Sequence, residues 1–442
     1  MKKIKLTALE RSWILYDIGN SAFILLVSTL IPIYFNALAT TGGLNESLYL
    51  SYWGYAGSVS TLLVAVIGPI CGTLADHRGF KKPIFMACML LGVLGCAAMG
   101  VTAGWLAFLV VFVLAKVGYS SSLVFYDAML PEVTTDERMD TVSSMGYAYG
   151  YIGSVIPFIL CLLLVLFGDK IGIGAGTAMV VSFLITAVWW FVCTQPLLKR
   201  YRQTAFVEHG GNPVSSTFHR LRDTFREVRQ QKHIFLYLLA FFFFIDGVYT
   251  IIDMATAYGT ALGLDTTGLL LALLLTQFVA FPCSIAFGRF SAKYDTGLLI
   301  KICILCYTGI TLFAVFLVSQ WQFWVLAVLV GMFQGGIQAL SRSMYGKLIP
   351  DKDRSGEFFG FFDIFGKFSS IMGPALVGVV SSVVANGMLG AQGLTAQTAT
   401  AEQINAINAR SSHYGILSII IIIIVGAVLY FGFLPKAEHA KQ

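Results

Sequence analysis

Long apolar runs, not alternation, organise this chain. The stretch GILSIIIIIIVGAVLYFGF (Gly415 to Phe433) shows neither the period of two of a half-buried strand nor the polar stripe of a helix on a soluble core. A membrane-spanning helix needs about 20 such residues, because each adds about 1.5 Å across a hydrocarbon core of about 30 Å. Runs of that size fall near 12–38, 50–75, 83–102, 105–128, 141–167, 173–193, 234–261, 266–290, 298–318, 322–347, 356–385 and 413–434. The pattern predicts an all-α membrane protein with twelve transmembrane helices. It argues against a transmembrane β-barrel, whose strands read as alternating segments of about ten residues.

Composition agrees: with 57% apolar and 12% charged residues, water cannot solvate most of the surface. Lys2, Lys3 and Lys5 ahead of the first run, and Ala37 to Ala39 near its end, imitate a secretory signal. The run is too long for a signal and Asp17 interrupts it, so an uncleaved first span is expected. Of the 29 Lys and Arg, Lys116, Arg342 and Lys367 fall well inside runs, Arg289, Lys301 and Lys347 stand at run edges on the inner side, and only Lys170 and Arg410 fall in the loops assigned outside if the chain starts inside. Cationic flanks are retained in the cytoplasm, which places both termini there.

Other chemistry is sparse. All eight Cys lie in or beside apolar segments, where a thiol packs as a small apolar group. The six His lie in loops or near helix ends without an HExxH-like spacing, so no metal site is expected. There is no GxxxxGK[ST] loop and no soluble domain large enough to hydrolyse a nucleotide, so the work must come from solute or ion gradients. No cofactor and no nucleic-acid partner is expected.

The longest segment between runs, Thr194 to His233, is basic and separates six runs from six. Its piece EHGGNPVSS (Glu208 to Ser216) is turn-rich, and FHRLRDTFREVRQQKH (Phe218 to His233) has the pattern of a basic amphipathic surface helix. Contact with anionic lipid and a solvated linker both fit that pattern. The two halves echo each other. YDAMLP (Tyr126 to Pro131) ends the fourth run as YGKLIP (Tyr345 to Pro350) ends the tenth, and Pro157 and Pro374 recur in the runs that follow. GTLADHRG (Gly72 to Gly79) leaves the second run and GRFSAKYDTG (Gly288 to Gly297) the eighth, while Asp17 in the first run answers Asp246 in the seventh. Such recurrence predicts two pseudo-symmetric six-helix bundles, 1–193 and 234–442, joined by a basic cytoplasmic linker, 194–233. The polar stretch Asn386 to Arg410 reads as an exposed outer loop with room for a short helix.

The loop GTLADHRGFKK (Gly72 to Lys82) resembles the signature between the second and third spans of the major facilitator superfamily, and the twelve runs, central loop and repeated halves extend that resemblance over essentially the whole chain. Gly72 and Gly79 permit close helix approach and a tight turn, Asp76 can cap a neighbouring helix N-terminus, and cations such as Arg78 and Lys81 hold the inner face. His77 and Phe80 stand where that superfamily usually carries basic residues. YDIGNSAF (Tyr16 to Phe23), GGIQALSRSMYGKLIP (Gly335 to Pro350) and GEFFGFFDIFGKFSSIMGP (Gly356 to Pro374) are similar to the branch related to the vacuolar amino-acid effluxers of autophagy, with Ile18 and Gly19 replacing a Trp and an Ala. The resemblance implies the major facilitator fold, amino acids or similar small polar metabolites as solute and, for a bacterial relative, residence in the inner (plasma) membrane.

An ion inside the bilayer is costly, so buried ionisable residues are expected to face a partner or a wetted passage. Asp17, Asn20, Ser21 and Ser28 share a face of the first span, and Asp246, Thr250, Asp253 and Thr260 repeat the stripe on the seventh. Gln334, Gln338, Arg342 and Tyr345 do so on the tenth, and Gly360, Asp363, Lys367 and Ser370 on the eleventh. Asp363 and Lys367 are four apart and can neutralise each other, as a packing pair or in transport. Arg342 has no such partner on its helix and is expected to bind an anionic group or a carboxylate from the other half. Lys116 stands where proton-coupled members of the resembled superfamily often carry Arg. A desolvated Lys can lose its proton, so it is expected to pair with an acid such as Asp17 or Asp246, in ion coupling or as a static salt bridge. Asp17 and Asp127, with Asp76 and Arg78 close in depth, suit an inner gate, and simple helix capping by Asp127 or Asp76 also fits. Gly146, Gly150 and Gly153 lie on one face of the fifth run and read as a close-packing seam.

These readings converge on a secondary active transporter, not an enzyme, that moves a small polar solute by alternating access. H+ or another coupling ion and membrane lipids are its further partners. A transporter-like receptor that binds without flux is the alternative. A membrane-embedded enzyme would need a cluster of nucleophile, base or metal ligands, and no His lies in the interior of a run, His413 standing at the edge of the last.

Overall fold

The computed structural model describes residues 5–44, 46–208, 223–224, 226–394 and 398–433. Most of the turn-rich piece and the first part of the expected surface helix, residues 209–222, lie outside them. Among the described residues, twelve helices are long and apolar enough to cross a membrane, and no strand forms. We number them α1 (Ala8–Val27, resumed as Leu30–Thr41), α2 (Glu46–Ala75), α3 (Lys81–Ala98), α4 (Trp105–Ala128), α5 (Asp136–Phe167), α6 (Ala175–Arg200), α7 (Lys232–Ala261), α8 (Thr266–Phe290), α9 (Thr296–Val315), α10 (Gln320–Leu348), α11 (Ser355–Ala391) and α12 (Ala401–Val428). Each expected span has its helix.

Local chemistry sets several of the boundaries. Thr7 and Glu10 form a reciprocal capping box at the start of α1, each satisfying the other's backbone N–H. The first span is broken at Ser28 and Thr29, a feature the apolar pattern hides. Pro32 has no N–H to return to the Ser28 carbonyl, so the ladder cannot continue and Pro32 instead occupies the first turn of a new helix. The Thr29 and Ser28 hydroxyls both donate to the Leu25 carbonyl, at 2.6 and 3.1 Å, covering an acceptor that the break would strand. The polar stretch after α11 also differs from expectation. Helix α11 runs on to Ala391, and α12 starts at Ala401 behind a second capping box, Thr400 with Gln403. Most of 386–410 is therefore helical, as a stretch rich in Ala and Gln with a well-formed cap permits.

Contacts divide the chain into two compact units: residues 1–227 with 342–364, and 228–341 with 365–442. In the first unit α1 packs on α5 and α6, and α3 on α4. Small residues make these seams, as in other membrane helices. A Cβ on Gly118 would strike the α3 backbone at Gly92, and one on Gly150 or Gly153 would come within 2.8 Å of Ser21 Oγ or 2.6 Å of the Ile18 side chain on α1. Trp190 stacks on Phe23 inside this unit with ring centres 5.6 Å apart. In the second unit α7 and α9 pack against α12. Large apolar side chains such as Leu94, Val192 and Ile421 point outward, as a lipid solvent allows.

Candidate functional site: two ion-paired clusters and a buried carboxyl

Within the first unit the end of α2 crosses the start of α11 at near backbone contact. A side chain on Gly72 would collide with the Gly356 carbonyl, and one on Gly360 would come within 2.9 Å of Pro69 Cα. One turn beyond Gly72, the buried Asp76 points both carboxylate oxygens at the N-terminus of α11. Oδ1 accepts from the Gly356 N–H at 2.7 Å and Oδ2 from the Glu357 N–H at 2.8 Å. These are N–H groups that no helix satisfies internally, and the positive end of the helix dipole favours the negative charge. Lys81, fully buried, completes the cluster: its ammonium donates to Glu132 Oε1 (2.7 Å) and Ser355 Oγ (2.8 Å) and lies 3.6 Å from Asp76 Oδ1. Burial pushes the Asp76 carboxyl up to about 7, even though Lys81 and the two amides pull the other way. Gly79, at φ 81°, makes the turn that returns the chain to α3.

The segment after α6 is fastened to the same cluster. Glu132 Oε2 accepts the Thr204 and Ala205 N–H groups at 2.7 and 3.1 Å, and Tyr201 donates to Oε1 at 2.8 Å. Burial, and then the charge of Glu132, push the Tyr201 hydroxyl up, which keeps it a donor. Gln203 accepts from Gly79 N–H and donates to the Ala75 carbonyl, both at 3.0 Å. Arg78 is exposed, its guanidinium 5.1 Å from the Phe206 ring centre.

A second cluster surrounds Arg342 of α10. Its Nη1 donates to Asp127 Oδ1 at 3.0 Å, Nε to Ser143 Oγ at 2.9 Å and Nη2 to the Ser143 carbonyl at 3.1 Å, while Asp17 Oδ2 lies 3.8 Å from Nη2. The guanidinium carbon sits 4.5 Å from the Tyr147 ring centre, 4.7 Å from Trp13 and 5.5 Å from Tyr126, within cation–π range of all three. Trp13 stacks on Tyr126 at 4.2 Å, which holds the box rigid. Gly146 leaves the space: a Cβ there would stand 2.8 Å from Asp17 Oδ2 and 3.2 Å from the guanidinium. Beyond Arg342, Ser343 and Lys347 bind Asp140 at 2.6 and 2.7 Å, Lys352 pairs with Asp136, and Arg354 with Glu227 at 2.7 Å. Residues 342–364, from the second half of the sequence, are thus pinned to the first bundle at Asp17, Asp76, Asp127, Asp136 and Asp140.

In the second unit Asp246 is wholly buried, Oδ1 accepting from the Gly373 N–H of α11 at 2.8 Å and from Thr250 Oγ1 at 3.3 Å. The remaining expected residues are more dispersed. Asn20 is buried and donates to Asp17 Oδ1 at 3.4 Å, Gln334 is buried, Gln338, Asp363 and Lys367 are half-buried, and Asp253 is exposed. Lys116 is half-buried, with its ammonium 5.8 Å from the Phe112 ring centre. Of the two acids named as examples for it, Asp17 stands beside Arg342, and Asp246 Oδ1 accepts from Thr250 and Gly373. Trp13, Tyr147, Ser143, Glu132, Gln203 and Ser355 belong to the clusters and escaped the sequence reading.

A family model described as "Vacuole effluxer Atg22 like" matches residues 45–389. The chain belongs to the Atg22-like family. A Bacillus subtilis (strain 168) relative, the MFS-type transporter YxiO, is 38% identical over 98% of this chain and 96% of its own length. Autophagy-related protein 22-1 of Penicillium rubens is 29% identical over 55% of this chain, which spans only 45% of that fungal protein. Among solved structures, the major facilitator transporter FucP in its outward conformation superposes with a TM-score of 0.65 at 13% identity, covering 95% of this chain and 97% of FucP. This Atg22-like chain is accordingly an integral membrane transporter of the major facilitator fold, and a small-molecule solute is its cargo.

Proposed function

We propose that this Atg22-like protein is a secondary active transporter that moves an amino acid or similar small polar metabolite by alternating access, coupled to H+ or another ion. In this reading 1–193 and 234–442 are the halves that move against each other, 194–233 tethers them, and the protein sits in the plasma membrane with both termini cytoplasmic. One observation supports it above others. The carboxylates of the first bundle cap and ion-pair the end of α10 and the start of α11, beside the close backbone approach at Gly72 and Gly360. Such bonds exchange for water at modest net cost when they part, whereas a buried apolar seam does not. Asp76, Lys81, Asp127 and Arg342 then form an inner gate, with Gly72, Arg78 and Gly79 shaping its turn. Asp17, Asn20, Lys116, Asp246, Asp253, Gln334, Gln338, Asp363 and Lys367 are assigned to the solute and ion pathway.

Reconstitution into liposomes with a panel of labelled amino acids, with and without an imposed pH gradient, tests the proposal. Saturable uptake that the gradient accelerates is the expected result. Saturable binding without flux would instead identify a receptor, and absence of both would remove the amino-acid assignment.

A further inference from the structure

We propose that Asp246 carries the coupling proton: it is a neutral carboxyl on α7, docked on the Gly373–Pro374 step of α11, that binds and releases H+. The inference deepens the transporter reading by naming its ion and site, and it rests on that reading only for the proton's role in transport.

Its two oxygens are treated differently. Oδ1 accepts two donors, the Gly373 N–H at 2.8 Å and the Thr250 hydroxyl at 3.3 Å. Oδ2 is buried and has no hydrogen-bond partner among the described residues. That is the asymmetry of a carboxylic acid, with Oδ1 as its carbonyl and Oδ2 as its hydroxyl. The docking is built into the sequence. A side chain at position 373 would collide with Thr250 Oγ1 and come within 2.5 Å of Asp246 Oδ1, so only glycine lets the carboxyl reach the helix backbone. Pro374, next along, cannot donate to Ser370, which breaks the regular ladder at the same turn.

Charge is not balanced otherwise. The helices packed on α7 in this unit bring Arg289 (α8), Lys301 (α9) and Glu402, Arg410 and His413 (α12), α11 brings Lys367, and α7 itself carries Lys232, His233 and Asp253. None of these forms an ion pair with Asp246 among the described residues, in contrast to Asp17, Asp76 and Asp127, each of which has Arg342 or Lys81 beside it. The next residue, Gly247, abuts Ile419 and Ile423 of α12. An ionised carboxylate left uncompensated in such surroundings is costly, and taking up a proton removes that cost. A metal cation fits poorly, since it needs several oxygen ligands and Oδ1 already faces two donors. Release breaks the Oδ2–H bond, leaves the electron pair on the carboxylate and passes the proton to water. Uptake from water on the other side reverses it.

The test uses the full chain in liposomes and the proton alone as probe. In pH-difference infrared spectra, a protonated-carboxyl C=O band is expected at neutral pH, absent in Asp246→Asn and shifted to higher frequency in Thr250→Val, which removes one donor from the carbonyl. If the wild type has no such band, if Asp246→Asn retains it, or if NaCl displaces it where choline chloride does not, the assignment falls. Thr250→Val keeps the carboxyl, so it still reports should Asp246→Asn fail to fold. In a second arm, Asp246→Asn is expected to lose the response of labelled amino-acid uptake to an imposed pH gradient. An unchanged response would overturn this inference and leave the transporter reading intact. An Asp246 band with no carried amino acid would overturn the solute assignment and leave the proton site standing.

Discussion

Asp76 gives the sharpest quantitative test of the proposed gate. Replacing it by Ala leaves the Gly356 and Glu357 N–H groups without acceptors in a buried setting, and takes one of two counter-charges from Lys81. Loss of an N-cap side chain costs about 0.5–2 kcal/mol, and a buried donor left unsatisfied about 1–3 kcal/mol. Water reaches part of the vacated space, so a total of about 2–4 kcal/mol against the closed arrangement is reasonable. At 1.4 kcal/mol per tenfold, opening becomes about 30- to 1,000-fold more frequent. Asp76→Asn keeps one oxygen acceptor for the two N–H groups and loses the other, so about half of that energy is expected. Hydrogen exchange of the Gly356 and Glu357 amides in nanodiscs measures this directly, since both N–H groups become free when the cap parts. Wild-type protection in Asp76→Ala would refute the reasoning, because the start of α11 would then be held by something other than this carboxylate. The same site predicts a pH dependence. The docked carboxyl holds its proton up to about 7, whereas a solvated one loses it near the ordinary 3.8. Between those values the closed arrangement binds more protons than the open one, so closure weakens as pH rises through that window and levels off above it. Protection, corrected for the intrinsic exchange rate, should follow that course in the wild type and be flat in Asp76→Asn.

Arg342→Gln should lower stability by about 3–5 kcal/mol, because Asp17 and Asp127 lose their cation in a mostly buried site. Adding Asp127→Asn should restore part of it, and strictly additive losses in thermal unfolding would show that the pair is not coupled. Gly118→Ala should cost about 1–3 kcal/mol, since the new methyl meets the α3 backbone at Gly92, which cannot rotate away. Gly54→Ala, with open space around it, should instead be neutral or stabilising by up to about 1 kcal/mol. Equal melting temperatures for the two variants would refute the packing argument. Glu132→Ala removes the acceptor shared by Lys81, Tyr201, Thr204 and Ala205, so limited proteolysis should cut at 201–208 faster than in the wild type, and an unchanged cleavage rate would mean that other bonds hold this segment.

What the sequence reveals here depends on how far a physical signal reaches along the chain. Spans are legible because the solvent imposes them residue by residue: each run must be apolar over about 20 positions, and all twelve emerged. Capping is legible only when both partners are local. Thr400 and Gln403 lie three apart and could have revised the outer loop, yet their polarity read as exposure because the apolar filter registers no propensity. The break at Thr29 was within reach of Pro32, but a proline inside an apolar run ends a helix, kinks it or begins a new one, and only the packing chooses. For Asp76 the residue and its type of role could be read from the turn it leaves, but its partners, Gly356 and Glu357, lie 280 residues on and offer only backbone N–H groups, which carry no side-chain signature. Arg342 shows the converse. A lone guanidinium on an apolar helix demanded a carboxylate elsewhere, and Asp127 and Asp17 supply it. The aromatic box could not be foreseen, because Trp13, Tyr126 and Tyr147 are as suited to lipid headgroups as to a cation. Charge therefore announces a need without naming its partner: Asp17 stands beside Arg342, an arrangement set by reach and geometry, which composition does not contain.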